Sequence, residues 1–208
     1  MTWRYPDAPG STIGREALDD VPGGYIAELK LDGWRCQIEK TDAEAYRFTT
    51  RHKKPCPVSA ETRLYVREAL RGLPVGSIVD AEWLARRPAA RDEAIWFFDL
   101  LQWGGVELYS QPATERLDAL RRYVTPERIV PTSTGNYAEF FDALAERGDA
   151  EGVVLKRGSS KYIGSYRECA SNPGWIRCKW RAGEDGRTAL IRIPHAAQHF
   201  SQSLARAR

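Results

Sequence analysis

Residues 27–35 read Ala27-Glu28-Leu29-Lys30-Leu31-Asp32-Gly33-Trp34-Arg35, placing a carboxylate, an amine, an Asp-Gly pair and a guanidinium within nine positions. Apolar residues alternate with polar ones on both sides of the pair: Tyr25, Ala27, Leu29 and Leu31 before it, Trp34, Cys36 and Ile38 after it. Period-two alternation marks half-buried strands, and Asp-Gly between two such runs predicts a β-hairpin. On a strand Glu28 and Lys30 share a face. An acid and an amine side by side suit a nucleotide pocket. The plainer reading is a solvent face carrying Glu and Lys beside a common turn, and the rest of the chain decides between the two.

Working outward, residues 1–24 are rich in Pro, Gly and Asp and read as an irregular arm with a short helix near Arg15–Asp19. Ala45–Thr50 alternates as a third strand. Ser59 is placed to cap a helix running to about Arg71, which Gly72 and Pro74 close. Ser77–Leu84 and Ala94–Leu101 read as strands, the second apolar enough to be covered on both faces. Thr114 is placed to cap a helix carrying Leu117, Leu120 and Val124, and Arg128–Pro131 reads as a short strand. Tyr137–Arg147 forms an amphipathic helix with Phe140, Phe141 and Leu144 inward and Gly148 as its stop. Glu151–Lys156 and Gly174–Trp180 are the last strands. Strand-rich segments interrupted by helices, without regular βαβ alternation, predict an α+β fold.

The chain has 208 residues with 42% hydrophobic and 28% charged content, ordinary for a globular protein. The net charge of +3 is small, so any nucleic-acid surface must come from local clustering. Cys36, Cys56, Cys169 and Cys178 form no Cys-x-x-Cys pair and read as free thiols of a cytoplasmic protein, with structural zinc not expected. No apolar run has the length of a membrane span, and the N-terminus shows no signal peptide.

Lys30-Leu31-Asp32-Gly33-Trp34-Arg35 resembles the Lys-x-Asp-Gly-x-Arg signature of covalent nucleotidyltransferases: ATP-dependent DNA ligases, RNA ligases and mRNA capping enzymes. Further stretches resemble the other motifs of the ATP-dependent DNA ligase adenylation domain, in the same order. They are Thr50-Arg51-His52-Lys53-Lys54-Pro55, Val79-Asp80-Ala81-Glu82, Trp96-Phe97-Phe98-Asp99, Glu151-Gly152-Val153-Val154-Leu155-Lys156 and Trp175-Ile176-Arg177-Cys178-Lys179. The resemblance covers residues 25–180 and implies a nucleotidyltransferase (ATP-grasp-like) fold of twisted antiparallel sheets flanked by helices. It implies ATP as substrate, Mg²⁺ (or Mn²⁺) as cofactor and nicked duplex DNA as partner, with RNA as the alternative.

The same resemblance assigns roles. Lys30 attacks the α-phosphorus and holds AMP as a phosphoramidate. A free lysine at pH 7 is neutral less than about one part in a thousand of the time, and lowering its pKa by ~3 units takes about 4 kcal/mol. Lys179, Lys156 and the metal are the cations expected to supply this, with Arg177 beside them in the fifth motif. Glu82 and Glu151 are the candidate metal ligands, since Mg²⁺ prefers oxygen donors; Asp32 is a further candidate whose plainer role is the turn. Phe98 resembles the adenine-stacking aromatic and Glu28 the acceptor for the adenine 6-amino group, which favours ATP over GTP. Arg35 and Arg51 resemble the ribose- and phosphate-contacting arginines. The basic runs Arg51/Lys53/Lys54 and Arg86/Arg87/Arg91 are solvated faces or contacts to duplex phosphates. Trp175 and Trp180 read as packing.

Two positions depart from the pattern: Ala81 replaces a glycine of the third motif, and Arg177 stands where the fifth often has a lysine. In these ligases a β-barrel of the OB type follows the fifth motif, and residues 181–208, a basic tail, are too few for one. The division expected is therefore an arm (1–24), an adenylation domain (25–180) and the tail, with a partner protein supplying the barrel. The rivals are an RNA ligase and a non-catalytic module that binds nucleic-acid ends or a partner.

Overall fold

A computed structural model of the protein describes residues 4–84, 93–145 and 150–180. In chain order its elements are β1 (Ala8–Ile13), β2 (Tyr25–Leu31), β3 (Trp34–Lys40), β4 (Tyr46–Thr50), α1 (Ala60–Ala69), β5 (Ile78–Leu84) and β6 (Ala94–Trp103). They continue with β7 (Val106–Glu107), α2 (Ala113–Tyr123), β8 (Thr132–Ser133), α3 (Tyr137–Leu144), β9 (Ala150–Arg157) and β10 (Ser171–Lys179). The strands form two five-stranded sheets, one ordered β1-β10-β9-β2-β8 and the other β4-β3-β5-β6-β7. All pairings are antiparallel except β1 with β10. The fold is α+β, as the pattern of segments predicted. No helix among the described residues is long and apolar enough to cross a membrane.

The predicted hairpin is not formed. Strand β2 pairs with β8 and β9, whereas β3 pairs with β4 and β5. Asp32-Gly33 therefore carries the chain from one sheet to the other. A two-residue type I′ hairpin needs positive φ at both turn residues, and neither Asp32 nor Gly33 has it. Gly33 is required for space instead, because a Cβ there would lie 2.8 Å from the Trp83 carbonyl oxygen.

Each sheet buries one face under helices. Tyr25, Ala27, Leu29 and Leu31 of β2 join Val153, Leu155 and Cys178 beneath Ala138, Phe141 and Leu144 of α3. Cys36, Ile38, Val79, Ala81 and Phe97 pack beneath Val66 and Ala69 of α1 and Leu117 and Leu120 of α2. Burying such side chains contributes about 1.5–3 kcal/mol each. The remaining faces meet across a cleft. Alternation thus read the strand faces correctly except at Trp34, which is half exposed, and helices cover both outer sides.

Smaller readings need correction. Residues 8–13, assigned to an irregular arm, are a strand built into the first sheet, and only a 3₁₀ turn at Arg15–Ala17 follows it. Ser59 caps α1 as expected, accepting from the Thr62 N–H at 3.1 Å. Thr114 does not cap α2: Pro112 is the capping residue, and Thr114 donates its N–H to the Gly158 carbonyl at 3.1 Å. The strand expected at Arg128–Pro131 is a 3₁₀ turn at Pro126–Arg128 followed by β8. The proposed stop Gly148, the basic residues Arg86, Arg87 and Arg91, and the tail 181–208 lie outside the described residues.

Candidate active site

The cleft between the sheets is lined by Glu28 and Lys30 of β2, Val154 and Lys156 of β9, Trp175 of β10, Pro9 of β1, and Glu82 and Phe98 from the facing sheet. Strand register puts the first group together. Glu28 lies opposite Val154, which lies opposite Arg177; Lys30 lies opposite Gly152, which lies opposite Lys179; Lys156 lies opposite Trp175. Directly opposed residues share a face. The first sheet therefore gathers Glu28, Lys30, Lys156, Trp175, Arg177 and Lys179 on one face from three strands.

Two breaks in register complete the set. Between Lys30↔Gly152 and Leu31↔Ala150 the pairing skips Glu151. Regular alternation would turn Glu151 away from the face that Gly152 occupies. A β-bulge re-aims a side chain in this way, and here the Glu151 carboxylate meets both Lys30 Nζ and, at 2.8 Å, Lys179 Nζ. Gly152 makes the bulge possible: its φ is +150°, and a Cβ would fall 1.9 Å from the Cys178 carbonyl oxygen. In the other sheet the pairing skips Phe98 between Asp80↔Asp99 and Ala81↔Phe97. Phe97 is wholly buried in the core while Phe98 lines the cleft.

Burial is the main cause that brings the Lys30 ammonium down to about 8. Lys179 and Arg177 push the same way, and Glu82 and Asp32 oppose them. The cation effect expected from the sequence is therefore secondary to desolvation, and Lys156 is engaged elsewhere, 2.7 Å from Glu28 and 3.6 Å from Asp99. Burial also lowers Lys179, with Arg177 adding to it. It raises the Glu82 carboxyl to about 7, against the pull of Lys30 and Arg35.

Other expected residues are placed differently. Arg177 is exposed and donates to Thr12 Oγ1 at 2.7 Å on β1. Arg35 lies just behind the cleft wall, with Cζ 5.1 Å from the Phe98 ring centre and 5.8 Å from that of Trp175. It binds Asp80 Oδ1 at 3.0 Å and Oδ2, the Asp7 carbonyl, and Tyr162 Oη at 3.2 Å. Arg51, Lys53 and Lys54 are exposed on the turn after β4, where Arg51 Nε donates to His52 Nε2 at 3.0 Å. None of these lines the cleft.

Trp175, read as packing, is packed against Leu101, Tyr109 and Tyr162, and it also lines the cleft with Lys156 Nζ 4.6 Å from its ring centre. Sequence reasoning missed two features. Asp7, in the supposed arm, is fully buried and accepts from the Ile163 and Gly164 N–H groups at 2.7 and 2.9 Å and from Asn172 Nδ2 at 2.7 Å. Arg116 on α2 holds Asp99 with both arms of its guanidinium. Its signal was present, since it falls among Ala113, Leu117 and Leu120 on the apolar stripe of the helix.

Among the described residues no three His, Cys, Asp or Glu side chains converge into a metal cage. The donors that are present fit Mg²⁺, which is held largely by phosphate and water and needs one or two carboxylates. Glu82 in the cleft lining and Glu151 in contact with Lys30 are the carboxylates that would meet this need.

No family model matches the chain. A protein of Beutenbergia cavernae named "Probable DNA ligase" is 32% identical over 193 residues, covering 79% of this chain and 36% of that protein. The chain thus spans little more than a third of that curated relative. The ligase domain of M. tuberculosis LigD has a TM-score of 0.61 at 24% identity, over 83% of this chain and 60% of that one. A mycobacterial DNA ligase D complexed with ATP and MES has a TM-score of 0.60 at 23% identity, over 86% and 60%. These two likenesses establish the shared fold.

Proposed function

The chain is related to the adenylation domain of the ATP-dependent DNA ligases, and from that relation we propose that it transfers AMP from ATP to Lys30 and onward to the 5′-phosphate of nicked duplex DNA. The observation that carries this is Lys30 itself: a part-buried amine lowered to about 8, beside Glu82 and in contact with Glu151, in the cleft that Phe98 and Trp175 wall. In the first step the neutral Nζ attacks the α-phosphorus. A P–N bond forms, the bond to the bridging oxygen breaks, and pyrophosphate leaves with its electron pair. Glu151, already touching Nζ, is placed to receive the proton. Lys179 is placed to neutralise charge on the transferred group. Glu82 and Glu151 would hold Mg²⁺, which when bound supplies charge neutralisation on the triphosphate. In the second step an oxygen of the 5′-phosphate attacks the AMP phosphorus, the P–N bond breaks and Lys30 leaves as the protonated amine. In the third the 3′-hydroxyl attacks the adenylylated 5′-phosphate, the bond to AMP breaks and AMP leaves.

Incubation with ATP labelled at the α-phosphate, with Mg²⁺, followed by a denaturing gel, tests the first step: a labelled band is expected, and its absence at every pH would end the proposal. The rate of labelling should depend on pH in a defined way. Only neutral Lys30 attacks, so the rate should rise about tenfold per pH unit below about 8 and level off above it. Glu82 must be ionised to serve a cation, so the rise should steepen below about 7. A profile flat from pH 6 to 9 would contradict both assignments.

Nucleotide choice should rest on Phe98 and Glu28. Phe98→Ala should weaken ATP binding by ~1–3 kcal/mol through lost stacking area. Glu28→Ala should erode discrimination between ATP and GTP more than it slows the chemistry. Titration of each variant with both nucleotides checks this, and equal use of GTP by the unaltered protein would remove Glu28 from its role.

A further inference from the structure

Behind the cleft runs a chain of four charged side chains, of which the chemistry above uses only the near end. Glu28 and Lys156 line the cleft; Asp99 and Arg116 lie behind them and are not part of its lining. All four are buried, Arg116 to 1% exposure. Contacts alternate in length along the chain. Lys156 Nζ is 2.7 Å from Glu28 Oε2 but 3.6 Å from Asp99 Oδ2. Asp99 is closed by Arg116 Nε at 2.8 Å and Nη2 at 2.9 Å. The fork is itself anchored, because Nη1 donates to the Gln111 carbonyl at 2.7 Å and the Ser160 carbonyl at 3.3 Å.

The charges balance, two negative and two positive. A carboxylate held by both arms of a guanidinium has little need of a second cation. Lys156 therefore leans on Glu28 as an ion pair with Oε2, and Glu28 lines the cleft. Without Arg116, two buried carboxylates would compete for one ammonium. Either Lys156 would shift towards Asp99 or one carboxyl would take up a proton. Both outcomes alter Glu28. An ionised carboxylate only accepts hydrogen bonds, whereas a protonated one also donates, and so no longer rejects a purine with an oxygen at the 6-position.

We propose that Arg116 is a positioning residue for purine selectivity: by saturating Asp99 from outside the cleft it commits Lys156 to Glu28 and keeps Glu28 an acceptor. This rests on the reading of Glu28 as the purine-edge acceptor. Burial raises the Glu28 carboxyl overall, and the direction in which Arg116 acts on it, downward, is the direction the proposal needs. Lys156 also lowers it, and the Asp99 charge raises it.

The test is calorimetric titration of the full chain with the α,β-methylene analogues of ATP and GTP, which bind without transferring AMP. The readout is the ratio of the two affinities, which a loss of stability alone would not move. Arg116→Met should lower the ratio at least tenfold. Asp99→Asn/Arg116→Met, which removes both charges, should bring it back to within threefold of the unaltered protein. Arg116→Lys keeps the charge but not the fork, and should lower the ratio at least threefold; it decides the matter if Arg116→Met does not fold. A folded Arg116→Met or Arg116→Lys with the unaltered ratio would overturn the inference, as would a double variant as unselective as Arg116→Met. An unaltered protein that binds both analogues equally, or neither, would instead overturn the nucleotide reading on which the inference stands.

Discussion

Lys30→Ala is expected to yield a folded chain that carries no labelled AMP after incubation with α-labelled ATP and Mg²⁺. Removing the nucleophile leaves nothing to form the P–N bond, so labelling should fall by on the order of 10³-fold or more. The fold should tolerate the change for electrostatic reasons. Glu151 keeps Lys179 at 2.8 Å, so the lost ammonium does not strand a buried charge. The Lys30 side chain is 22% exposed and belongs to none of the three hydrophobic clusters among the described residues. Lys30→Arg sharpens the test, because it keeps the cation while a guanidinium, with a pKa above about 12, offers no neutral amine. Both variants should melt within a few degrees of the unaltered protein and remain unlabelled on a denaturing gel. Label that persists in either would place the covalent bond on another residue.

The second large effect is expected at a residue with no side chain. Gly152→Ala should destabilise the chain by about 3 kcal/mol or more, because φ +150° is strained for alanine and the new Cβ would sit 1.9 Å from the backbone oxygen of Cys178. Backbone cannot step aside as a flexible side chain can, so β9 and β10 must separate where Glu151 and Lys179 meet. For a chain of this size a loss of about 3 kcal/mol lowers the melting midpoint by roughly 6–12 °C. Labelling should fall with it, since the Glu151 bulge and the Lys179 contact depend on the same peptide. Gly135→Ala is the control: a Cβ there meets nothing within 4 Å, and the midpoint should hardly move. Thermal melts of the two variants side by side check the argument, and a Gly152→Ala midpoint equal to that of the control would refute it.

The sequence by itself determined the strands around residues 25–38, most of the faces they bury and five of the residues that line the cleft. Period-two alternation is a local property, and it survives folding wherever one face is dry. It said nothing of partners, so an Asp-Gly pair between two strands read as a hairpin although the strands belong to different sheets. The family resemblance named ten residues for the nucleotide site: Glu28, Lys30, Glu82, Phe98 and Lys156 line the cleft, Glu151 contacts Lys30 and Lys179 contacts Glu151, whereas Arg35, Arg51 and Arg177 do not line it. How each is placed was decided by the tertiary structure. Glu151 and Phe98 arrive through bulges, and a bulge is a mismatch between two strands that neither strand's own pattern contains. Arg35 turns inward because Asp80, Asp7 and Tyr162 converge on it from distant parts of the chain. Arg116 is legible as a misplaced charge on an apolar stripe, but its partner Asp99 lies on a different element, and only packing α2 against β6 brings them together. The pKa of Lys30 follows the same rule: its residue type is written in the sequence, while the burial that brings it to about 8 exists only once the two sheets face each other.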